Sequence, residues 1–182
     1  MQKRLIKLRE KWKAEEKPEL MMRIGLCSGP AVVGNMGSKN RMDYTMMGDT
    51  VNIAARLEGV NKVYGTYTLI SETTYRAAGP GFVFREIDKI NVVGKKEPIS
   101  VYQLMGVAGE GDAHMDDVRN FYARGLQAYR SQEWEQAIGF LNEVLKIASD
   151  DGPGLSLLNR CQMLRENPPG KDWNGAFAIK HK

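Results

Sequence analysis

The stretch RMDYTMMGDTVNIAARLEG, residues 41–59, joins a strand pattern to a helix pattern across a single glycine. Its DYTMM run, residues 43–47, predicts a short strand that ends at Gly48. Beyond the glycine, apolar residues recur every three or four positions, which is the period of an amphipathic helix. These residues are Ile53, Leu57, Val60 and Tyr64. The helix therefore spans about residues 49–64, and its apolar stripe is expected to pack on a sheet.

Both ends of this helix carry residues that commonly begin and end helices. Asp49 is the predicted N-cap, because its carboxylate can accept a hydrogen bond from the free backbone amides of the first turn. Gly65 is the predicted C-cap, because glycine adopts the left-handed backbone conformation at low cost. The helix is thus bounded on both sides by local sequence features.

Two polar residues of the helix, Asn52 and Arg56, are four positions apart and share one face. Hydrogen-bonding side chains held one turn apart would suit a phosphate or ribose site. An ordinary polar edge on an amphipathic helix has the same spacing and is the commoner arrangement. The spacing alone therefore leaves the function of this pair open.

Outward from this stretch, the chain shows further strand and helix patterns on both sides. Upstream, an amphipathic helix ends before Pro18, and residues 22–26 alternate as a half-buried strand does. Downstream, residues 66–70 form the next predicted strand, and a β-hairpin closes around residues 94–97. Helices interspersed with paired strands predict an α+β fold.

Composition excludes several classes of protein. The chain has 182 residues, of which 42% are hydrophobic and 26% charged, and a net charge of +4, all typical of a globular domain. Two cysteines, Cys27 and Cys161, far apart in the sequence, give no pattern of a disulfide framework, and His114 and His181 do not form a metal-binding motif. The basic clusters lack interleaved aromatics, so no nucleic-acid surface is predicted. With no membrane-length apolar stretch and no secretory signal, a cytoplasmic location is expected.

The sequence after residue 106 predicts a separate helical part. Residues 107–117 read as a linker, residues 118–166 as helices, and residues 167–182 as an extended arm. The helical part resembles a tetratricopeptide repeat, in which Gly125 and Ala137 would be the small residues at the helix crossing. A single repeat cannot bury its own apolar faces, so it must pack on the following helix, on the preceding domain or on another chain.

Several motifs in order resemble one known family. YTMMGDTVNIAARL, residues 44–57, is similar to the characteristic motif of class III adenylate and guanylate cyclases of the bacterial adenylate cyclase type. Further agreement comes from RIGLCSGP, GNMGS, LISE and VGKKEPISVY, at residues 23–30, 34–38, 69–72 and 93–102. The resemblance covers residues 1–106 and implies an N-terminally truncated, ferredoxin-like cyclase domain with an antiparallel sheet packed with helices.

The resemblance also implies a site formed at the interface of two cyclase domains, in a homodimer or a heterodimer. Asn52 would orient the ribose, and Arg56 would stabilise charge on the α-phosphate. Thr45 would read the base and favours ATP, because guanylate cyclases usually have cysteine there. Lys95 would reach the terminal phosphates, although a solvated turn lysine is the alternative for that residue.

In this family two aspartates bind Mg²⁺ or Mn²⁺. They belong to an early part of the cyclase domain, which precedes the part that this chain resembles. No residue here is assigned to metal. The acids that are present, Asp43, Asp49, Glu58, Glu72 and Asp88 among them, are expected in capping or surface roles. Without the metal ligands, the chain alone is expected to be inactive.

Three interpretations follow from the sequence. The chain could be a fragment of an adenylate cyclase, a phosphorus–oxygen lyase that converts ATP to cyclic AMP and pyrophosphate. It could instead complement an intact cyclase subunit, lending Asn52, Arg56 and Lys95 to a shared site. In the third interpretation it is a non-catalytic interaction module that binds a protein partner through the tetratricopeptide-like tail.

Overall fold

A computed structural model describes residues 1–91, 97–111, 113–170 and 172–178. The part of the chain up to residue 107 alternates strands with helices. Its helices are α1 (Gln2–Ala14), α2 (Asp49–Tyr64) and α3 (Glu72–Ala78), followed by a 3-10 turn at Gly79–Gly81. Its strands are β1 (Ile24–Leu26), β2 (Val32–Ser38), β3 (Arg41–Met47), β4 (Thr68–Ser71), β5 (Phe82–Asn91) and β6 (Ile99–Val107).

The tail adds three helices and a short strand. They are α4 (Ala113–Arg130), α5 (Trp134–Ile147), α6 (Gly152–Glu166) and β7 (Phe177–Ala178). Helix α4 therefore begins inside the predicted linker of residues 107–117. The reason is that Met115 and Val118 continue the helical spacing of Tyr122, and Val118 is buried.

The main sheet has five strands in the order β1-β4-β6-β5-β7, and β2 and β3 form a separate antiparallel hairpin. Strand β6 pairs antiparallel with β4 and β5, whereas β1–β4 and β5–β7 are parallel pairs. The sheet is thus mixed, and the predicted antiparallel sheet was wrong in that respect. The β2–β3 hairpin and helix α2 together connect β1 to β4 as a crossover, and such a connection returns the chain in the same direction.

Helix α2 has the predicted extent but a different N-terminal cap. Gly48 is the N-cap residue, with φ of 147° and ψ of 165°, and Asp49 is the first helical residue. The chain turns from β3 into the helix at this glycine, in a backbone region that few other residues adopt. The Asp49 carboxylate lies in the first turn, where the helix dipole favours negative charge. Gly65 is the C-cap in the left-handed conformation, as predicted.

One hydrophobic core runs through both parts of the chain. The apolar stripe of α2 is buried in it, and so are apolar residues of β4, β5 and β6. From the tail, the same cluster includes Tyr122, Leu126, Leu141, Leu157 and Cys161. The tail helices therefore pack on the cyclase-like part and on each other, which meets the expectation that they could not bury their apolar faces alone.

Small residues allow the close approach of α4 and α5. A Cβ added to Gly125 would lie 3.1 Å from the Leu141 side chain, and Ala137 is fully buried. The arm that follows α6 packs back on the tail and the sheet. Trp173 makes an edge contact with Tyr129 at a ring-centroid distance of 5.0 Å, and β7 extends the sheet beside β5.

The burial of Cys161 leads to a first test of this packing. Cys161 is inaccessible to solvent, and burial raises the pKa of its thiol to about 12. Because the thiolate is the reactive form, Cys161 is expected to stay unmodified by a thiol reagent at pH 8, whereas the half-buried Cys27 reacts. Counting modified thiols by mass spectrometry before and after urea unfolding checks this. A Cys27→Ser control should show no fast-reacting thiol, and rapid modification of Cys161 in the folded chain would contradict the shared core.

Candidate functional site

The predicted polar pair lies on one exposed side of α2. Asn52 is exposed and Arg56 is half-buried, while Ile53 and Leu57 on the other side belong to the core. A separation of four residues places the two side chains about 6 Å apart along the helix axis. Their hydrogen-bonding groups can therefore contact one ligand from the solvent side.

The middle of α2 lies directly against the backbone of β1. A Cβ on Gly25 would overlap the carbonyl oxygen of Ala54 and lie 2.5 Å from the backbone nitrogen of Glu58. The Asn61 side-chain amide donates to the carbonyl of Ile24 at 3.0 Å. Only a glycine fits at position 25, so this contact fixes the helix against β1 within two residues of Arg56.

Thr45 lies on the neighbouring hairpin. It pairs with Gly34 across β2 and β3, and its side chain is exposed, as is every residue of β3. Gly48 leads from β3 straight into α2, and the strand contacts the helix. The structure thus joins the strand of Thr45 to the helix of Asn52 and Arg56 through a single glycine. Lys95, the fourth predicted site residue, lies outside the described residues.

A cleft of about 440 Å³ opens where β1 ends and α2 and α3 begin. The backbone amide of Ser28 donates to Thr74 Oγ1 at 2.8 Å, and Ser71 Oγ caps α3 by accepting from the Thr74 amide at 3.2 Å. Asp49 and Glu72 also line the cleft. Neither Asn52 nor Arg56 lines this cleft.

A buried charged centre joins α2, β5 and α6, and sequence reasoning missed it. Asp88 is fully buried, contrary to the expected capping or surface role. Its Oδ2 accepts from the Tyr64 hydroxyl at 2.6 Å and from Arg160 Nη1 at 2.6 Å, and its Oδ1 accepts from the Lys89 amide at 2.8 Å. Asp88 can be buried because these donors stabilise its charge.

The surroundings raise the pKa values of both Tyr64 and Arg160. Burial, together with the Asp88 carboxylate, raises the pKa of Tyr64. Burial alone would lower the pKa of Arg160, but the Asp88 charge outweighs it and the pKa is raised. Tyr64 therefore stays a neutral donor and Arg160 stays a cation throughout the physiological pH range.

A second buried ion pair lies at the start of α6. Arg85 is 2% exposed and donates to both carboxylate oxygens of Asp151, at 3.0 and 2.8 Å. It also donates to Gln103 Oε1 at 2.6 Å, and its guanidinium lies 4.7 Å from the centre of the Tyr122 ring. Strand β5 thus contacts the tail through charged residues that include Arg85, Asp88 and Glu86, which pairs with Arg130 of α4.

The described residues show no cluster that fits a metal ion. Across residues 1–91, 97–111, 113–170 and 172–178, no three His, Cys, Asp or Glu side chains come together as metal binding would require. The residues present in that part of the chain do not fit the Mg²⁺ or Mn²⁺ expected from the resemblance. Within the same ranges, no helix has both the length and the apolarity needed to cross a membrane.

The α+β fold is similar to that of solved nucleotide cyclase domains. Residues 1–106 match the family model described as the adenylate and guanylate cyclase catalytic domain. This match covers more than half of the chain, and the chain therefore belongs to that family. The crystal structure of the adenylyl cyclase CyaB from P. aeruginosa is similar, with 32% identity and a TM-score of 0.51 over 60% of this chain and 56% of that one.

Curated relatives of this chain are also named adenylate cyclases. Adenylate cyclase 1 of Rhizobium meliloti (strain 1021) is 42% identical over 90 residues, which is 50% of this chain and 14% of that protein. The terminal-differentiation specific adenylate cyclase of Dictyostelium discoideum is 30% identical over 148 residues, 76% of this chain and 7% of that protein. The chain thus spans less than a fifth of the length of these relatives.

Proposed function

We propose that this chain supplies the ribose- and phosphate-binding half of an adenylate cyclase site, shared with a second cyclase domain and inactive without it. The observation that carries the proposal is the Asn52–Arg56 pair, held one turn apart on the open side of α2 in a chain of the cyclase family. The described residues show no metal-binding cluster, so the metal ligands would come from the partner domain.

The chemistry explains why these residue types suit the role. The ribose 3′-oxygen forms a bond to the α-phosphorus as its proton leaves, the bond from the α-phosphorus to the bridging oxygen breaks, and pyrophosphate departs. Negative charge grows on the α-phosphate oxygens and on the leaving oxygen. Arg56 is always charged and presents a planar fork of donors to those oxygens. Asn52 would hydrogen-bond the ribose and hold its hydroxyl in line.

Base recognition is proposed for Thr45, with ATP as the substrate. A threonine hydroxyl can accept a hydrogen bond from the adenine amino group. The side chain is exposed on β3, where a base bound between two domains could reach it. Lys95 is proposed to contact the terminal phosphates on the basis of the sequence resemblance alone.

The hairpin of β2 and β3 supports a dimeric arrangement. It forms a separate two-stranded sheet, and several of its large apolar side chains are exposed. These side chains are Val32, Val33, Met42, Tyr44, Met46 and Met47. Clustered exposed apolar residues are typical of protein–protein contact surfaces. A second cyclase domain is the proposed occupant of this surface.

A complementation assay tests the proposed function. The chain is mixed with a cyclase domain that retains its metal-binding aspartates but whose own arginine, equivalent to Arg56, has been replaced. Each protein alone is expected to form no cyclic AMP, while the mixture forms it from ATP and forms little cyclic GMP from GTP. Chromatographic quantification of both products with Mg²⁺ or Mn²⁺ gives the measurement.

Gel filtration of the same mixture shows whether the two proteins form a complex, and this distinguishes the possible causes of a mixture that forms no cyclic AMP. A stable complex of the two proteins that forms no cyclic AMP would contradict the proposal. Production of cyclic AMP by the chain alone would contradict the proposed dependence on a partner.

The alternative function, a non-catalytic module that recruits a protein through the tail, has less support. The inner faces of α4, α5 and α6 pack on one another and on the sheet, so much of the apolar surface that a repeat could offer a partner is already covered. The exposed apolar residues Leu155 and Met163 remain available on α6. If a partner binds with unchanged affinity after Leu155→Asp or Met163→Asp, these exposed residues of α6 are not its binding surface, which would contradict that alternative for α6.

A further inference from the structure

We infer that the helical tail positions helix α2, with Asp88, Arg160 and Gly152 as positioning residues for the nucleotide-binding side chains that α2 carries. The role of those side chains rests on the proposed function. The position of the helix itself is a structural property that can be measured independently. Nothing in the cyclase family match covers this part, because that match ends at residue 106.

The first contact is the buried charged centre at the C-terminal end of α2. Tyr64 is the last residue of the helix, is fully buried, and donates its hydroxyl to Asp88. Arg160 of α6 neutralises the same carboxylate oxygen at 2.6 Å. The end of α2 is therefore hydrogen-bonded to Asp88 of β5, and Arg160 of the tail balances the charge of Asp88.

The second contact is made by backbone alone. A Cβ on Gly152 would overlap the carbonyl oxygen of Tyr64 and lie 2.9 Å from Gly65 Cα. The start of α6 thus lies directly on the C-cap of α2, with no side chain between them. Any rotation or shift of α2 at this end would have to displace the tail.

The helix can transmit this restraint to the site. Arg56 precedes Tyr64 by eight residues, about 12 Å along the axis of a rigid helix. The middle of α2 lies on β1 at Gly25, so the tail supplies a second, distant point of support. The tail thus adds a restraint at the C-terminal end of α2 to the contacts that β1 and the core make along the helix.

Stability alone gives a weaker explanation for these residues. A buried ion pair costs much of its Coulombic energy in desolvation, and well-packed apolar residues often replace such a pair without loss of stability. The hydrogen bonds of Asp88 and Arg160 have specific directions, which apolar packing would not provide. An orienting role therefore accounts better for a charged centre that joins three elements.

Amide hydrogen exchange on the full chain tests the inference. Arg160→Met removes the charge and keeps an aliphatic side chain, and Arg165→Met is the control on the same helix, where 44% of the side chain is exposed. Amides of α2 are expected to exchange at least about tenfold faster in Arg160→Met than in the control, while those of β1 and α3 change less. Unchanged α2 exchange, or equal acceleration throughout the chain, would overturn the inference.

A milder variant covers the case in which Arg160→Met fails to fold. Tyr64→Phe keeps the buried ring and removes only the hydroxyl that reaches Asp88. It is expected to speed exchange in the last two turns of α2. Exchange equal to that of the wild type would remove Tyr64 from the proposed set and overturn the coupling through Asp88.

Activity in the complementing mixture supplies a second readout. At a temperature where circular dichroism shows the variant fully folded, Arg160→Met is expected to lower kcat about tenfold to hundredfold, because a displaced donor misses the transition state. A merely structural role would leave kcat of the folded chain unchanged. If the wild-type mixture itself is inactive, the proposed function fails, whereas the exchange data still decide whether the tail positions α2.

Discussion

Arg56→Ala is expected to reduce cyclic AMP formation in the complementing mixture by roughly a hundred- to thousandfold. The guanidinium would no longer stabilise the charge that grows on the α-phosphate oxygens as pyrophosphate leaves. The effect should fall on kcat more than on KM, because that charge is largest in the transition state. Initial rates at several ATP concentrations, with the partner domain in excess, give both constants.

The matched control for this experiment is Lys62→Ala. Lys62 is an exposed basic residue in the last turn of the same helix. Its replacement by alanine removes a charged side chain of similar length to that of Arg56. Its activity should stay within about twofold of the wild type, since surface substitutions are usually mild. Thermal unfolding of both variants checks that the fold is intact. Near-normal turnover by Arg56→Ala would remove the residue from the site.

Helix α2 could be predicted from the sequence because its determinants are local. The apolar spacing of Ile53, Leu57, Val60 and Tyr64 gave its extent, and Gly65 gave its end. The position of the cap was predicted one residue late, at Asp49 rather than Gly48. That choice depends on the backbone geometry of the turn from β3, and residue preference alone favours the aspartate.

The buried charged pairs could not be predicted because their partners are remote in sequence. Asp88 and Arg160 are 72 positions apart, and Arg85 and Asp151 are 66 apart. No local period links such residues, and a charged residue in a strand is usually exposed. Asp88 was therefore expected in a capping or surface role, whereas it is buried where the tail packs on β5.

The candidate site could be predicted from the sequence less fully than helix α2, but more fully than the buried charged pairs. The spacing of Asn52 and Arg56 follows from the helix, and the neighbouring Thr45 follows from the short connection through Gly48. Which residue a nucleotide would contact depends on the proposed second domain. For that reason, the residue roles stay predictions, while family membership is established.

Asp151→Ala is expected to destabilise the whole chain by about 3–5 kcal/mol. Arg85 is 2% exposed and would keep its charge while losing the carboxylate that accepts from two of its nitrogens. Asp151 is also the N-cap of α6, where its Oδ2 accepts from the Gly154 amide at 2.8 Å. Both effects act in the same direction, and the guanidinium would keep its contacts with Gln103 and the Tyr122 ring.

Urea unfolding measures this loss, and Asp150→Ala is the control. Asp150 is the adjacent, exposed carboxylate, and its removal should change the free energy of unfolding by no more than about 0.5 kcal/mol. In a Trp12→Phe background, fluorescence of Trp134 and Trp173 follows the tail, while far-ultraviolet circular dichroism follows all elements. Because Arg85 is in the sheet and Asp151 in the tail, both signals should shift together by the same amount of urea. A tail that unfolds separately, leaving the circular dichroism of the sheet in place, would contradict the single core and the support that the tail gives α2.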